Sequence, residues 1–310
     1  MAGSKWTADR IPDLNGRTAV VTGANSGLGL ATTRELARRG AHVVLAVRDE
    51  AKGRRAAATI IGARPGARLE VRRLDLADLD SVTAFAARMH DRGLGVDLLI
   101  NNAGVMGPPR TLNRQGQEVQ FASNHLGHFA LTGLLLDLLQ AGRDPRVVTV
   151  VSDLHRGARI DFDDLTGARR YAPMRFYRQS KFANVVFALE LDRRLRAVGS
   201  PVRSLLAHPG FSATNLQTSG PTGLLRTFVT LGRGLMAQDA SMGALPQLYA
   251  ATAPAVEGGQ FFGPDGFREL RGHPTTVRPD PAAEDLQTAR RLWQLSEDLT
   301  GVSYASTFSA

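Results

Sequence analysis

Tyr177 and Lys181, four residues apart, are the pair in this chain whose types and spacing could do acid–base chemistry. On a helix, positions i and i+4 share a face, one turn apart. A phenol ordinarily ionises near pH ~10, and a neighbouring ammonium favours the phenolate and lowers that value. A phenol tuned this way can pass a proton to or from an alcohol or ketone oxygen near neutral pH. Residues 182–191 are apolar enough for a buried helix, so the pair would ride on a rigid element. The same spacing also suits an ordinary amphipathic face, so the surrounding elements must decide.

Residues 17–22 are a short, apolar, β-branched run that reads as a buried strand. Gly23, Ala24, Asn25, Ser26, Gly27, Leu28 and Gly29 follow, and residues 30–39 carry helical periodicity up to the stop signal Gly40. Strand, glycine turn and helix in this order form the context in which such a turn binds a dinucleotide. Gly23 permits the tight turn, Gly27 lets the backbone approach a pyrophosphate, and Gly29 lets helix and strand pack closely. The first helical amides then face the phosphates. The second strand, 42–47, ends at Arg48. An acid there would take the ribose 2′-hydroxyl of NAD, whereas an arginine accommodates a 2′-phosphate, so Arg48 points to NADP(H) over NAD(H). A solvated arginine opening the helix 50–61 is the other reading.

Strand three, 69–74, is closed by Asp75 and Leu76, and Asp78 can cap a helix running to about Arg92. Strand four, 96–100, runs into Asn101, Asn102, Ala103 and Gly104, a small-residue turn able to press on a flat ligand. Residues 119–139 read as one long helix carrying Asn124, His125 and His128. Strand five, 147–151, ends at Ser152. Strand six, 202–207, ends at His208, Pro209 and Gly210, and 259–262 read as the last strand. This alternation implies an α/β fold: a single Rossmann-type domain, 1–310, with a doubly wound parallel sheet and helices on both faces. Ligands of such sheets bind beyond the carboxyl ends of the strands, where Ser152 and the Asn101 turn fall. Residues 212–242 interrupt the alternation and read as a helical lid over the site, with a peripheral membrane patch as the rival.

The composition, 43% hydrophobic and 22% charged, is that of a globular protein. The net charge of +9 comes from scattered arginines, with Lys5, Lys52 and Lys181 as the only lysines. That pattern suits anionic small ligands better than nucleic acid. The absence of cysteine excludes disulfides, thiolate metal sites and a catalytic thiol. No apolar run approaches the ~20 residues of a membrane span, and a cytoplasmic location is the default. His125 and His128, three apart without a third ligand, read as core histidines and not a metal site. His208 reads as structural, and Asp161, Asp163 and Asp164 as a solvated loop.

Taken jointly, these motifs resemble the short-chain dehydrogenase/reductases over residues 17–262. The match comprises Thr22-Gly23-x-x-x-Gly27-x-Gly29, Asp75, Asn102-Ala103-Gly104, Asn124, Ser152, Tyr177-x-x-x-Lys181, Pro209-Gly210 and Thr214. The 25-residue interval from Ser152 to Tyr177, with residues 47–49, 124–129 and 180–184, resembles the retinol-dehydrogenase-like branch. The resemblance implies a carbonyl–alcohol oxidoreductase with Tyr177 as general acid or base. Lys181 would tune Tyr177 and hold the nicotinamide ribose, and Ser152 would hydrogen-bond the substrate oxygen. Asn124 would position a water that links Lys181 to solvent. Asp75 would meet the adenine, Asn102 the adenosine side of the cofactor and Thr214 the carboxamide, with Leu76, Ala103, Gly104, Pro209 and Gly210 also binding the cofactor. The substrate would be a hydrophobic small molecule, and a homo-oligomer is expected by analogy. Asp153 departs from the branch, which commonly has a small or apolar residue there. Reduction of a conjugated C=C bond and a cofactor sensor without turnover are the alternative readings.

Overall fold

The computed structural model describes residues 5–93, 95–211 and 238–305. Thr214 and most of the expected lid, 212–237, lie outside the described residues. Among the described residues eight strands form one sheet: β1 (Thr18–Thr22), β2 (His42–Val47), β3 (Arg68–Arg73), β4 (Leu98–Asn101), β5 (Arg146–Val150), β6 (Arg203–Ala207), β7 (Phe261–Pro264) and β8 (Pro274–Val277). Their order is β3-β2-β1-β4-β5-β6-β7-β8. The first seven strands run parallel, and β8 is antiparallel to β7.

Period-two alternation explains how one sheet serves two apolar layers. On β1, Ala19 and Val21 join the layer with Leu36, Ile60 and Leu248, whereas Val20 joins the opposite layer with Phe85, Phe129 and Leu136. The first layer belongs to α1 (Gly27–Arg38), α2 (Glu50–Ala63) and the later α9 (Leu245–Thr252); the second begins with α3 (Leu79–His90). Asp78 caps α3 by accepting the Asp80 amide, a contact typically worth ~1 kcal/mol. The chain leaves β1 toward β2 and β3, then crosses back to β4, so a crevice opens at the carboxyl ends of β1 and β4.

Two segments differ from the sequence reading. The expected helix 119–139 is interrupted: α4 (Val119–Phe121), a π-helical turn (Ala122–Leu126), α5 (Gly127–Leu134) and α6 (Leu136–Gln140) follow one another. The Asn124 carbonyl accepts from the His128 ring and from the Asn184 side chain, which draws it into tertiary contacts at the π turn. Such turns mark functional sites in many helices. The segment 259–262 is also not the last strand, because β8 follows β7. Its residues are half-buried or exposed and begin with proline, so β8 lacks the apolar run that announces a strand.

The Tyr177 element is α7 (Pro173–Ala197), 25 residues long, with Pro173 in its first turn. After the described gap come α8 (Ala240–Gly243), α9, and finally α10 (Leu286–Thr300), which packs against α7. Among the described residues no helix is long and apolar enough to cross a membrane.

Candidate active site

A cleft of about 1170 Å³ runs across the carboxyl ends of the strands. At one end lies the glycine turn. Gly23, Asn25, Ser26, Gly27 and Leu28 line it, and Gly29 sits behind its wall. A Cβ on Gly29 would stand 2.4 Å from the Gly23 carbonyl and 2.7 Å from Asn102 Nδ2, so only glycine permits this approach. Asn102 clamps the turn to β1: its side chain donates to Thr22 O at 2.8 Å and its amide to Thr22 Oγ1 at 2.9 Å. The Ala103 amide donates to the same hydroxyl at 2.9 Å, which leaves Ala103 and Gly104 facing the cleft.

Ser26 does not cap α1 with its side chain, so the first amides of this 12-residue helix remain open toward the cleft. An uncapped N-terminus beside a glycine turn fits a pyrophosphate. Beyond the end of β2, Arg48, Lys52 and Arg55 line the same cleft, facing Asp75 and Leu76 at the end of β3. The residues present therefore fit a dinucleotide, with three cations where its adenosine half would lie. Lys52 and Arg55 were not singled out by sequence; their i+4 and i+7 spacing from Arg48 was the available signal.

The other end gathers Ser152, Tyr177, Lys181, Pro209 and Gly210. Ser152 lies two residues beyond the end of β5 and caps a short 3₁₀ turn (Asp153–His155) by accepting the Leu154 amide at 3.3 Å. Its hydroxyl shares the reacting end of the cleft with the Tyr177 phenol and favours the phenol's ionised form. The Lys181 ammonium donates to Val150 O at 3.0 Å. Burial pushes Tyr177 up to about 12, with the Ser152 contact working in the opposite sense. Burial also pulls Lys181 down to about 8. Burial thus moves the phenol opposite to the direction expected from a neighbouring ammonium, and that ammonium is itself desolvated and turned to a carbonyl.

Asn124 is buried behind this corner. Its Oδ1 accepts the Val105 amide at 2.8 Å, and its Nδ2 donates to Val105 O and Ser180 Oγ, both at 2.9 Å. The residue therefore braces the segment after Gly104. His125 and His128 are fully buried neighbours; burial lowers them to about 3 and about 4. Among the described residues no group of three His, Asp or Glu side chains is gathered as a metal would require.

Several participants escaped the sequence reading. His155 Nε2 accepts the Asp280 amide at 3.2 Å, so its proton sits on Nδ1, which donates to Ser152 O at 2.7 Å. Asp153, the departure from the branch already visible in the sequence, lines the cleft and pairs with Arg156 at 2.6 Å. Asp164 is not solvated: it turns inward and accepts the amides of Arg169 and Arg170. Glu269 and Leu270, from the loop between β7 and β8, close the wall beside Pro209 and Gly210.

The fold and this cleft define a nucleotide-dependent α/β oxidoreductase. The profile of the short chain dehydrogenase family matches residues 17–223. Human retinol dehydrogenase 13 is 42% identical over 297 residues, covering 94% of this chain and 86% of that protein. Mouse polyprenol dehydrogenase is 41% identical, covering 94% and 86%. A crystal structure of a protein from Mycobacterium Paratuberculosis is 46% identical, covers 97% of this chain and 99% of that one, and superimposes with a TM-score of 0.81. The chain belongs to the short-chain dehydrogenase family, in its retinol-dehydrogenase-like branch, and is an oxidoreductase acting on CH–OH groups.

Proposed function

We propose that this enzyme interconverts a carbonyl and an alcohol on a hydrophobic small molecule, uses NADP(H), and relays the proton through Tyr177. The observation that carries this reading is the gathering of Ser152, Tyr177 and Lys181 at the opposite end of the cleft from the glycine turn. When bound, the nicotinamide supplies or accepts the hydride. In the reducing direction the phenol gives its proton to the carbonyl oxygen, and the Ser152 hydroxyl donates to the same oxygen as charge develops. A phenol held up at about 12 is protonated at neutral pH, which suits this direction. In the oxidising direction the phenolate takes the alcohol proton. Lys181 holds the ribose and favours that phenolate. The second lone pair of Asn124 Oδ1 is the one a water between Asn124 and Lys181 would use.

The cations Arg48, Lys52 and Arg55 support a 2′-phosphate, and hence NADP(H) over NAD(H). A hydrophobic substrate is supported by Met106, Pro108, Leu154, Met174 and Phe211 along the cleft. Two of its relatives carry the names of retinol and polyprenol dehydrogenases.

The test is a panel of hydrophobic aldehydes, ketones and alcohols, followed by NADPH absorbance, with product analysis to separate C=O from C=C reduction. Tight NADPH binding without turnover of any member would remove the substrate class. Reduction confined to conjugated C=C bonds would remove the reaction.

A further inference from the structure

A chain of polar contacts joins the two loops that flank the reacting end of the cleft. It starts at Gly210, whose amide donates to His208 Nδ1 at 3.3 Å. A backbone N–H can only donate, so Nδ1 is the bare nitrogen and Nε2 carries the proton. Nε2–H then donates to Glu269 Oε2 at 2.9 Å. The same carboxylate accepts Arg156 Nη2, at 3.1 Å on Oε2 and 3.3 Å on Oε1. Arg156 turns its Nε to Asp153 Oδ1 at 2.6 Å, and Asp153 is the neighbour of Ser152. Glu269 is thus the link between Pro209-Gly210 and the serine turn, which is 113 residues from it at Arg156.

Two further observations show that the fold accommodates this link at a cost. Arg268 and Glu269 are consecutive non-glycine residues in the left-handed region, at φ of +50° and +57°. Such residues persist where the surroundings over-determine them, and they cluster at functional sites. Here the Glu269 amide bonds Gly266 O at 2.9 Å, and Leu270 O accepts the Phe211 amide at 2.7 Å. Room for the imidazole comes from β7: a Cβ on Gly263 would lie 2.1 Å from His208 Nε2. His208 is buried, while Glu269 lies on the cleft wall.

We propose that Glu269 is a positioning residue of this enzyme: through His208 it sets the Pro209-Gly210 loop against the nicotinamide, and through Arg156 it sets the turn that carries Ser152. The inference rests on the functional reading above, because it takes Pro209-Gly210 as the nicotinamide side and Ser152 as the substrate hydrogen-bond donor. The two arms of the carboxylate do different work. The His208 arm governs nicotinamide-side affinity, and the Arg156 arm governs the rate of the chemical step.

The test separates the arms by using two probes, NADPH and adenosine 2′,5′-bisphosphate, which carries only the adenosine half. Glu269→Ala weakens NADPH about tenfold and leaves the bisphosphate affinity unchanged. Glu269→Gln keeps an acceptor for His208 Nε2–H but loses the charge that holds Arg156. It recovers NADPH affinity while kcat stays down, by about tenfold or more. Arg156→Met reproduces the Gln variant: kcat falls with NADPH affinity intact. Equal loss of both probes in Glu269→Ala, with a lowered melting temperature, would make the residue merely structural and overturn the proposal. Unchanged NADPH affinity in Glu269→Ala would overturn it as well. Should the unmutated protein bind NADPH yet turn over nothing in the panel, the functional reading fails while the two-probe comparison still decides the His208 arm. Should NADH bind more tightly than NADPH, NADH and AMP serve as the matched probes.

Discussion

The Lys181 ammonium donates to the carbonyl of Val150 at 3.0 Å, and Val150 is the last residue of the strand that delivers Ser152. The lysine is thereby fixed against the sheet, and its burial brings it down to about 8. The value of kcat/KM for NADPH reports groups of the free enzyme. In the reducing direction Tyr177 must be protonated, which holds up to about 12, and Lys181 must be charged, which holds below about 8. The profile is therefore flat at neutral pH and falls as pH rises through about 8. A profile flat up to the ordinary lysine range, ~10.4, would show that the ammonium is not desolvated.

Tyr177→Phe removes the proton donor while keeping the ring that fills α7's buried face. Ser152 retains the Leu154 amide, so its turn stays in place. Turnover falls by roughly 10²–10⁴-fold, the usual worth of a positioned acid, while NADPH affinity stays within about threefold. Single-turnover kinetics with a fluorescence titration make the comparison. Turnover that survives the change takes Tyr177 out of the mechanism.

Gly29→Ala places a methyl 2.4 Å from Gly23 O and 2.7 Å from the amide nitrogen by which Asn102 holds β1. The turn must open, and NADPH affinity drops by about tenfold, or about 1.4 kcal/mol. Gly62→Ala is the control. A Cβ there meets nothing within 4 Å, and Gly62, in the last turn of α2, does not line the cleft. Equal NADPH affinities in the two variants would contradict the close approach assigned to Gly29.

Arg48→Asp puts a carboxylate where a 2′-phosphate is proposed to lie. NADPH affinity falls by about a hundredfold and NADH by less than about threefold, because Lys52 and Arg55 remain. Equal affinities of the unmutated protein for the two cofactors would refute the assignment of NADP(H).

What could be read in advance was what local pattern controls. Val20 and Val21 announce β1, Gly23 and Gly29 the turn, and Ser152 the end of β5, because apolar runs and glycines carry those signals along the chain. The break at Asn124 was hidden, since the apolar periodicity of its neighbours continues through it. Its cause is the pull of Val105 and Asn184 from other elements. Strand β8 was hidden because an edge strand needs no apolar run. Glu269 was hidden because its meaning lies in His208 and Arg156, which are remote in sequence. The Tyr177–Lys181 spacing was legible, but the direction of the phenol's shift was not, because burial is a property of the packed helix.

His128 gives a prediction about stability. Thr22 Oγ1 accepts the amides of Asn102 and Ala103, so both its lone pairs are engaged and its proton points to His128 Nε2 at 2.9 Å. The remaining ring proton donates from Nδ1 to Asn124 O at 2.9 Å. A charged ring would set a second N–H against the Thr22 hydroxyl, whose lone pairs are already engaged, and burial holds His128 down to about 4 and His125 to about 3. Their folded values lie below the unfolded value of ~6.5, so between these limits the unfolded chain binds more protons and stability rises with pH. The contribution is complete above ~6.5 and is lost as pH falls from there toward about 4 for His128 and about 3 for His125. Each histidine adds at most ~1.4 kcal/mol per pH unit to the slope. His128→Asn is therefore less stable at neutral pH, yet its urea midpoint declines less steeply on acidification than that of the unmutated protein. Parallel declines in the two proteins would mean that His128 titrates normally and does not tie β1 to the Asn124 turn as a neutral ring.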